Sequence, residues 1–265
     1  MKVFVTCDME GISGVPSWFA GSDKNPNYFE GRELMTADVN AVIAAAFDSG
    51  ADAVCVRDAH GSAQNLLATK LDSRAQLISG WASPARMCSG IDGSFGAVVL
   101  AGYHARAGTA DGLMCHTMTR AIRNVRINGV LLGEIGVSAT HAGHYGVPVV
   151  AMSGDEAACR EARDLMPWVS TAATKWALGR ESARMLPPAQ AREKIAEAVR
   201  EGLANVGKAK PFAFDAPLRV EIEFTELTDA ARWELLPNAT RVDAYIVVFE
   251  VPDGEQVAVL LGLVD

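Results

Sequence analysis

Two carboxylates lie one residue apart near the start of the chain, in the segment "VFVTCDMEGISG". Asp8 and Glu10 directly follow residues 3–7, an apolar run that is typical of a buried strand. Like charges this close repel each other, and burying them is costly unless positive charge lies between them. A divalent metal ion would supply that charge, because carboxylate oxygens are common ligands of such ions.

Other ligand-type side chains follow other apolar runs. Asp58 and His60 end "AVCVRDAH", His104 ends "AVVLAGYH", and Glu134 ends "VLLGE". In open α/β sheets, ligands gather outside the carboxyl ends of the strands, so residues distant in sequence can converge at one edge. The pattern therefore favours a metal site built from residues after four different strands, although no compact motif such as H-E-x-x-H is present.

Each of these residues also has a simpler interpretation. Asp58 alone is better explained as a turn or cap residue, or as a residue that orients His60. Glu134 stands near the start of a helix-like stretch and could only favour the helix dipole. A single histidine beside an apolar run is usually structural. It is the combination at several strand ends that indicates a metal site.

Three further histidines leave their roles open. His116 lies in "LMCHTMT" and is either a hydrogen-bonded core residue or a general acid/base or oxyanion stabiliser near the metals. His141 and His144 are three residues apart in "ATHAGHYG". They could form a helical metal pair, but imidazoles at an ordinary helix end explain them better.

The elements that must position these residues alternate between strands and helices. Apolar runs predict strands at residues 3–7, 53–57, 75–79, 97–101 and 147–152. A helical pattern runs from Leu34 to Phe47 and is stopped by Gly50, and Pro187-Pro188 opens another helix. Continuous apolar strands separated by helices predict an α/β fold, with a largely parallel sheet and helices on both faces.

Some segments depart from that pattern. Asn128-Gly129, between two strand-like runs, predicts a type I′ hairpin, and "LRVEIEF" predicts a half-exposed strand. The stretch from Gly11 to Gly31 reads as a long loop, a lid or contact surface. We expect a metal-binding catalytic α/β domain over residues 1–186 and a smaller C-terminal α+β portion over residues 187–265.

Composition narrows the class of protein. The 265 residues carry 24 basic and 32 acidic side chains, a net charge of −8, which argues against nucleic acid and anionic membranes as partners. No apolar run is long enough to span a membrane, and the N-terminal apolar stretch is too short for a signal peptide. The five cysteines are an odd number and widely spaced, so we expect free, buried thiols in a cytoplasmic protein.

The motifs together resemble those of the zinc-dependent D-aminopeptidases, peptidase family M55. The similar stretches are "DMEGISG", "NYFEGRELMT", "RDAHGSAQNLL", "LISG", "GYHARAGT", "MCHTM", "INGVLLGEIG" and "AGHYGVPVVAMSGD". They run in order over most of residues 1–190. Beyond about residue 205 the chain departs from the family pattern, which leaves the contribution of its C-terminal segment open.

The resemblance implies a metallo-aminopeptidase with two zinc ions per chain. The implied ligands are Asp8, which both ions share, Glu10 and His60 for one ion, and His104 and Glu134 for the other. His116 is implied to be catalytic. The implied substrates are short peptides with an N-terminal D-amino acid such as D-alanine, and the implied assembly is a homodecamer of two stacked pentameric rings.

Two other functions fit the same kind of site. A two-metal phosphoesterase also uses aspartate and histidine at strand ends, but phosphate sites usually recruit basic residues, and only Arg57, Arg106 and Arg120 lie near these motifs. A non-catalytic ring protein that keeps its metals for structure is the second alternative. The presence of His116 argues against it.

Overall fold

The larger sheet of the protein has seven strands in a computed structural model that describes residues 1–81 and 85–263. The strands are β1 (Lys2–Cys7), β2 (Ala53–Asp58), β3 (Gln76–Ile78), β4 (Ala97–Tyr103), β7 (Val149–Asp155), β8 (Ser170–Gly179) and β9 (Ser182–Met185). Their order across the sheet is β3-β2-β1-β4-β7-β8-β9, and every neighbouring pair is parallel except β8 and β9. The five predicted strands are all present, with ends shifted by up to three residues, and the predicted fold class is confirmed.

Seven α-helices accompany the strands in the described residues. They are α1 (Trp18–Gly21), α2 (Tyr28–Asp48), α3 (Glu134–His144), α4 (Glu156–Leu165), α5 (Pro188–Ala204), α6 (Leu227–Trp233) and α7 (Gly254–Leu261), with short 3-10 helices at Arg86–Cys88 and Val206–Lys208. Both predicted helices are confirmed as α2 and α5. In the described part of the chain, no helix is long and apolar enough to cross a membrane.

The helices cover both faces of the larger sheet because successive side chains of a strand point to opposite faces. From β1, Val3 and Val5 join a core with α2 and α5, whereas Phe4 joins a second core with α3 and α4. The sheet is therefore buried on both sides, and the carboxyl ends of its strands are left as the place for polar side chains.

A smaller antiparallel sheet contains the other strands, in the order β11-β12-β10-β5-β6. They are β5 (Ile122–Ile127), β6 (Val130–Leu132), β10 (Leu218–Phe224), β11 (Ala239–Arg241) and β12 (Ile246–Val251). Asn128 and Gly129 both have positive φ between the paired strands β5 and β6, which confirms the predicted hairpin. Alternate side chains of β10 are buried, as its half-exposed pattern predicts. This sheet takes strands from both sides of residue 187, so it does not mark a boundary there. The predicted division into two domains at that residue stays a prediction.

The long loop predicted from Gly11 to Gly31 is wrong in part. Within it, α1 forms a short helix, and α2 begins at Tyr28. A side chain at Gly31 would place its Cβ 2.1 Å from the carbonyl oxygen of Ala20, so the two helices are in direct contact there. Helix α1 is thus a product of packing on α2 and not of local sequence pattern, which explains why periodicity did not reveal it.

Candidate metal centre

Asp8 lies at the middle of a cluster of carboxylates and imidazoles. Its Oδ1 is 3.1 Å from Nδ1 of His60, and its Oδ2 is 3.3 Å from Nε2 of His104. Glu10 Oε2 lies 2.9 Å from the same nitrogen of His60, and Glu134 Oε1 lies 3.3 Å from the same nitrogen of His104. The cluster therefore has two halves that share Asp8.

The sheet brings these side chains together. Strand β1 lies between β2 and β4 and is parallel to both, so the three strands end at the same edge. Asp8 directly follows β1, His60 follows β2 by two residues, and His104 directly follows β4. Glu134 is the first residue of α3, after the hairpin of the smaller sheet. The structure thus brings together all five predicted ligands, while their role as ligands stays a prediction.

Backbone carbonyl oxygens fix the orientation of the three imidazoles at this site. His60 Nε2 is 2.7 Å from the oxygen of Gly21, His104 Nδ1 is 2.9 Å from that of Ala105, and His116 Nδ1 is 3.0 Å from that of Met114. A carbonyl can only accept, so each of these ring nitrogens donates. In the neutral imidazole the opposite nitrogen then has a lone pair directed at the carboxylates, the arrangement found in metal-binding histidines.

The cluster fits a divalent cation. Asp8, Glu10 and Glu134 are at most 4% exposed. Three buried atoms of the cluster have no hydrogen-bond partner among the described residues: Asp8 Oδ2, Glu10 Oε2 and His104 Nε2. Each of these three residues also offers one possible metal-ligand atom, and those ligand atoms lie within 4.8 Å of one another. Buried polar atoms without hydrogen-bond partners lower the stability of a fold. Carboxylate oxygens and imidazole nitrogens are also the atoms that zinc binds in proteins. Asp8, Glu10 and Glu134 also line a cavity of about 190 Å³.

The directions of the pKa shifts show that the cluster favours positive charge. Burial alone would lower the pKa of His60, but Glu10 and Asp8 raise it well above the usual value. Burial also opposes charge on His104, and Glu134 and Asp8 likewise raise its pKa. Burial would raise the pKa of Asp8, which His60 and His104 instead lower. Protons on these imidazoles and a metal ion are therefore alternative ways to neutralise the carboxylates.

His116 reaches the cluster from an irregular segment between β4 and β5. Its ring stacks on that of His104 with centroids 4.1 Å apart, and its Nε2 is 3.7 Å from Glu134 Oε1 and 4.0 Å from Glu10 Oε1. Met114 and Met118, two residues away on either side, both have positive φ, which is rare for residues with side chains. The amide of Met118 donates to Glu134 Oε1 at 2.7 Å, so the segment is attached to the cluster.

Asp58 has the turn role that was one of its predicted alternatives. Its carboxylate accepts from the amides of Asn65 at 2.6 Å and Leu66 at 2.8 Å and from the side-chain nitrogen of Asn65 at 2.7 Å. That same side-chain nitrogen also donates to the carbonyl oxygen of His60. Asp58 therefore holds the loop that carries His60 through hydrogen bonds to Asn65 and to the Leu66 amide, and not through a bond to the His60 imidazole.

His141 and His144 do not join the cluster among the described residues. Glu134 starts α3 and the two histidines are in its last turn, so the length of the helix separates them. His141 is buried, with its ring centroid 5.9 Å from that of Tyr145. The structure therefore favours imidazoles at an ordinary helix end over a helical metal pair.

Two supporting residues were missed from sequence. Lys175 is completely buried in β8 and donates to the carbonyl oxygens of Glu10, Ile12 and Val15 at 2.5, 2.9 and 2.6 Å. Glu161 of α4 accepts from the amide of Arg106, two residues after His104, at 2.8 Å. A lysine within a buried strand is a visible signal, but its partners are backbone atoms that sequence does not reveal.

Fold and site together define a class of enzyme, and comparison with known proteins identifies the family. The sequence profile of peptidase family M55, described as D-aminopeptidase, matches residues 1–262. The chain belongs to this family. The predicted enzyme class, an aminopeptidase among the hydrolases, is therefore confirmed in preference to the phosphoesterase and the non-catalytic ring protein.

Individual relatives agree with that assignment. A D-aminopeptidase of Bacillus subtilis (strain 168) is 41% identical over 240 residues, which cover 90% of this chain and 86% of the relative. The solved structure of the zinc-dependent D-aminopeptidase DppA from Bacillus subtilis, described as a self-compartmentalizing protease, matches with a TM-score of 0.96 at 37% identity. The match covers 98% of this chain and 95% of that one.

Proposed function

We propose that this chain is a zinc-dependent D-aminopeptidase with two zinc ions in the cluster. Asp8 would serve both ions, with Glu10 and His60 completing one site and His104 and Glu134 the other. The central observation is the position of Asp8 between the two imidazoles, together with buried donor atoms that have no hydrogen-bond partner. The zinc dependence of the similar solved enzyme supports the choice of metal.

The chemistry divides between the metals and the chain. Bound zinc lowers the pKa of water and polarises a carbonyl, which makes hydrolysis of an amide possible at neutral pH. Because Nδ1 of His116 is engaged by the Met114 carbonyl, Nε2 is the nitrogen available to the substrate. In our proposal Nε2 takes the proton that the attacking water loses and delivers it to the leaving amine as the C–N bond breaks.

We propose short peptides with an N-terminal D-amino acid, such as D-alanine, as substrates. The family description and the names of both relatives support D-aminopeptidase activity. The test is a panel of matched D- and L-aminoacyl p-nitroanilides on zinc-loaded protein, with metal content measured on the same sample. We expect about two zinc per chain and a preference for the D series. Protein that binds two zinc but cleaves only the L series would contradict the proposed substrate.

We also propose a homodecamer of two stacked pentameric rings. The support is the self-compartmentalizing character of the similar solved enzyme, which requires an enclosed assembly. Light scattering should give about 280 kDa, ten times the 28.1 kDa chain. A monomer that persists across a wide concentration range would exclude the proposal.

A cytoplasmic location completes the proposal. All five cysteines are free, and only Cys115 is even partly exposed. Free thiols of this number are typical of a reducing compartment. Thiol titration of denatured protein isolated without reductant should find all five cysteines reactive, whereas recovered disulfides would contradict this location.

A further inference from the structure

A second cavity adjoins the candidate metal centre, and His116 lines both. This second cavity has a volume of about 400 Å³, against about 190 Å³ for the space beside the carboxylates. It lies among the segment 107–123 and the turn after β8, at Arg180. A substrate whose scissile bond is at the metal centre would therefore extend past His116 into this cavity.

The second cavity is positively charged, in contrast to the metal centre and to the chain as a whole. Arg120, Arg123 and Arg180 line it, and none of its described lining residues carries a carboxylate. Arg123 has an outside partner, since its Nε is 3.7 Å from Oε1 of Glu223. Three guanidinium groups around one cavity of a protein with net charge −8 indicate a site for an anionic group.

Ring contacts limit the distance between the two sites. The rings of His116 and Trp18 have centroids 5.4 Å apart, and Cζ of Arg120 lies 5.0 Å from the ring centroid of Trp18. The guanidinium of Arg120 is thus no more than about 10 Å from the His116 ring, and an extended peptide covers roughly 3.3–3.6 Å per residue. About two or three residues would therefore span the distance from the His116 ring to Arg120.

Arg180 and Arg120 differ in how they are held. Arg180 donates to the carbonyl oxygen of Cys115 at 3.5 Å, and its own carbonyl accepts from the amide of Met114 at 2.8 Å, so it is tied to the segment that carries His116. Arg120 has its Cζ over the ring of Trp18.

We propose that this arginine-lined cavity binds the C-terminal carboxylate of a di- or tripeptide. The inference rests on the proposed aminopeptidase function and adds a basis for substrate length. A guanidinium matches a carboxylate through two parallel hydrogen bonds, and the distance above allows both ends of a short peptide to be bound at once. Peptides of five or more residues would place their carboxylate beyond the arginines and lose that contact.

The test compares three substrates on zinc-loaded protein: D-alanyl-D-alanine, its C-terminal amide, and D-alanine p-nitroanilide. For the wild type we expect kcat/KM for the free acid to exceed that for the amide by about tenfold to hundredfold, mainly through KM. Arg120→Gln and Arg180→Gln should remove most of this preference, which is measured as the acid-to-amide ratio of kcat/KM on each variant and so does not depend on a change in overall turnover. Arg200→Gln is the matched control, because Arg200 lies in α5 beside Asp48 and lines neither cavity.

The wild-type measurement tests the carboxylate preference, and the variants test its location: a preference that survives in both Arg120→Gln and Arg180→Gln would overturn the assignment to this cavity. Equal kcat/KM for acid and amide, with normal cleavage of the p-nitroanilide, would overturn the carboxylate site and leave the aminopeptidase function intact. Failure to cleave any of the three substrates would overturn both. A pentapeptide with N-terminal D-alanine should be cleaved at least about tenfold less efficiently than the dipeptide, and equal efficiency would also overturn the inference.

Discussion

At the scale of single residues, the position of His116 is compatible with two roles, a metal ligand or a general acid/base. One ring nitrogen of His116 lies within 4.8 Å of possible metal-ligand atoms of His104 and Glu134, which is close enough for His116 to be a metal ligand as well. However, in the proposed site Asp8, Glu10, His60, His104 and Glu134 would already provide ligands for two zinc ions, and a catalytic zinc needs an open position for water or substrate. A residue that holds no metal but faces the substrate can serve as an acid or base.

We therefore predict that His116→Ala keeps its zinc and its fold but loses about 10²–10⁴-fold in kcat. His60→Ala should lose zinc and activity together, since it removes a ligand. Metal analysis and steady-state kinetics on both variants distinguish the two roles. Zinc loss from His116→Ala would make it a ligand, and nearly normal turnover would make it a structural histidine.

Lys175 offers a second prediction at the level of single residues. Its ammonium group is buried and satisfied by three carbonyl oxygens from the segment just after β1, including that of Glu10. Burial lowers its pKa to about 8, although Asp155 and Glu10 oppose that shift. Lys175→Met keeps most of the volume but leaves the three carbonyls without their donor.

For Lys175→Met we expect a loss of about 2–4 kcal/mol in the free energy of unfolding, because buried acceptors lose a charged donor. Zinc retention should weaken as well, since the backbone of Glu10 is no longer fixed. Denaturant unfolding and metal analysis provide the measurement. Lys208→Met is the control, because Lys208 is exposed and bonds only Asn205. Equal stability of the two variants would show that the buried contacts add little.

These residues also show what sequence can reveal about such a site. Asp8 and His104 were predictable because chemistry-bearing residues directly after apolar strands are expected at one edge of a parallel sheet. Lys175 was not, since its partners lie about 160 positions earlier in the chain and are backbone atoms. Ligand types can be read from local pattern, whereas the residues that hold the ligands in place depend on tertiary contacts.

Among the elements, α1 is small but connects directly to the site. Its last residue, Gly21, accepts from the His60 imidazole, while Ala20 contacts α2 at Gly31. The hairpin at Asn128-Gly129 was predictable because its turn residues encode it locally. Helix α1 has only four residues and no side-chain cap, so its existence depends on the surface on which it packs.

We predict that Gly31→Ala lowers the free energy of unfolding by about 1–3 kcal/mol, as overpacking of a close contact does. The new methyl group would meet a backbone oxygen, which cannot rotate away, so α1 must shift. That shift moves the carbonyl that orients His60, and zinc affinity should fall with stability. Gly207→Ala is the control because nothing lies within 4 Å of its Cβ position. If both variants unfold alike and retain zinc alike, the contact at Gly31 is not restrictive.

At the scale of the whole molecule, α3 joins the two sheets. Ile135 and Ala139 belong to a core of the larger sheet, whereas Val137 belongs to the core of the smaller one. Helix α7 packs along α3, with the position of Gly254 close to the carbonyl oxygen of Thr140. Because Glu134 is the first residue of α3, the smaller sheet helps to fix one half of the candidate metal centre.

The α3–α7 contact contains a buried histidine whose protonation opposes folding. Burial lowers the pKa of His141 from 6.5 to about 4, with Glu255 of α7 and Asp253 just before α7 acting against this shift and His144 adding to it. The Nδ1 atom of His141 has no hydrogen-bond partner among the residues that the structure describes. Between pH 6.5 and 4 the unfolded chain therefore binds this proton more readily than the folded one, so stability present above pH 6.5 is lost as the pH falls.

We predict that replacing His141 by leucine flattens the pH dependence of stability in that window. From pH 7.5 to pH 5 the wild type should lose about 2 kcal/mol of unfolding free energy through this residue. The His141→Leu variant should not show this contribution to the loss. Denaturant unfolding of both proteins at equal concentration and zinc content isolates the contribution, because the metal centre titrates in both alike. Parallel stability curves for the two proteins would show that His141 keeps an ordinary pKa in the fold, and that the contact between α3 and α7 admits its charge without penalty.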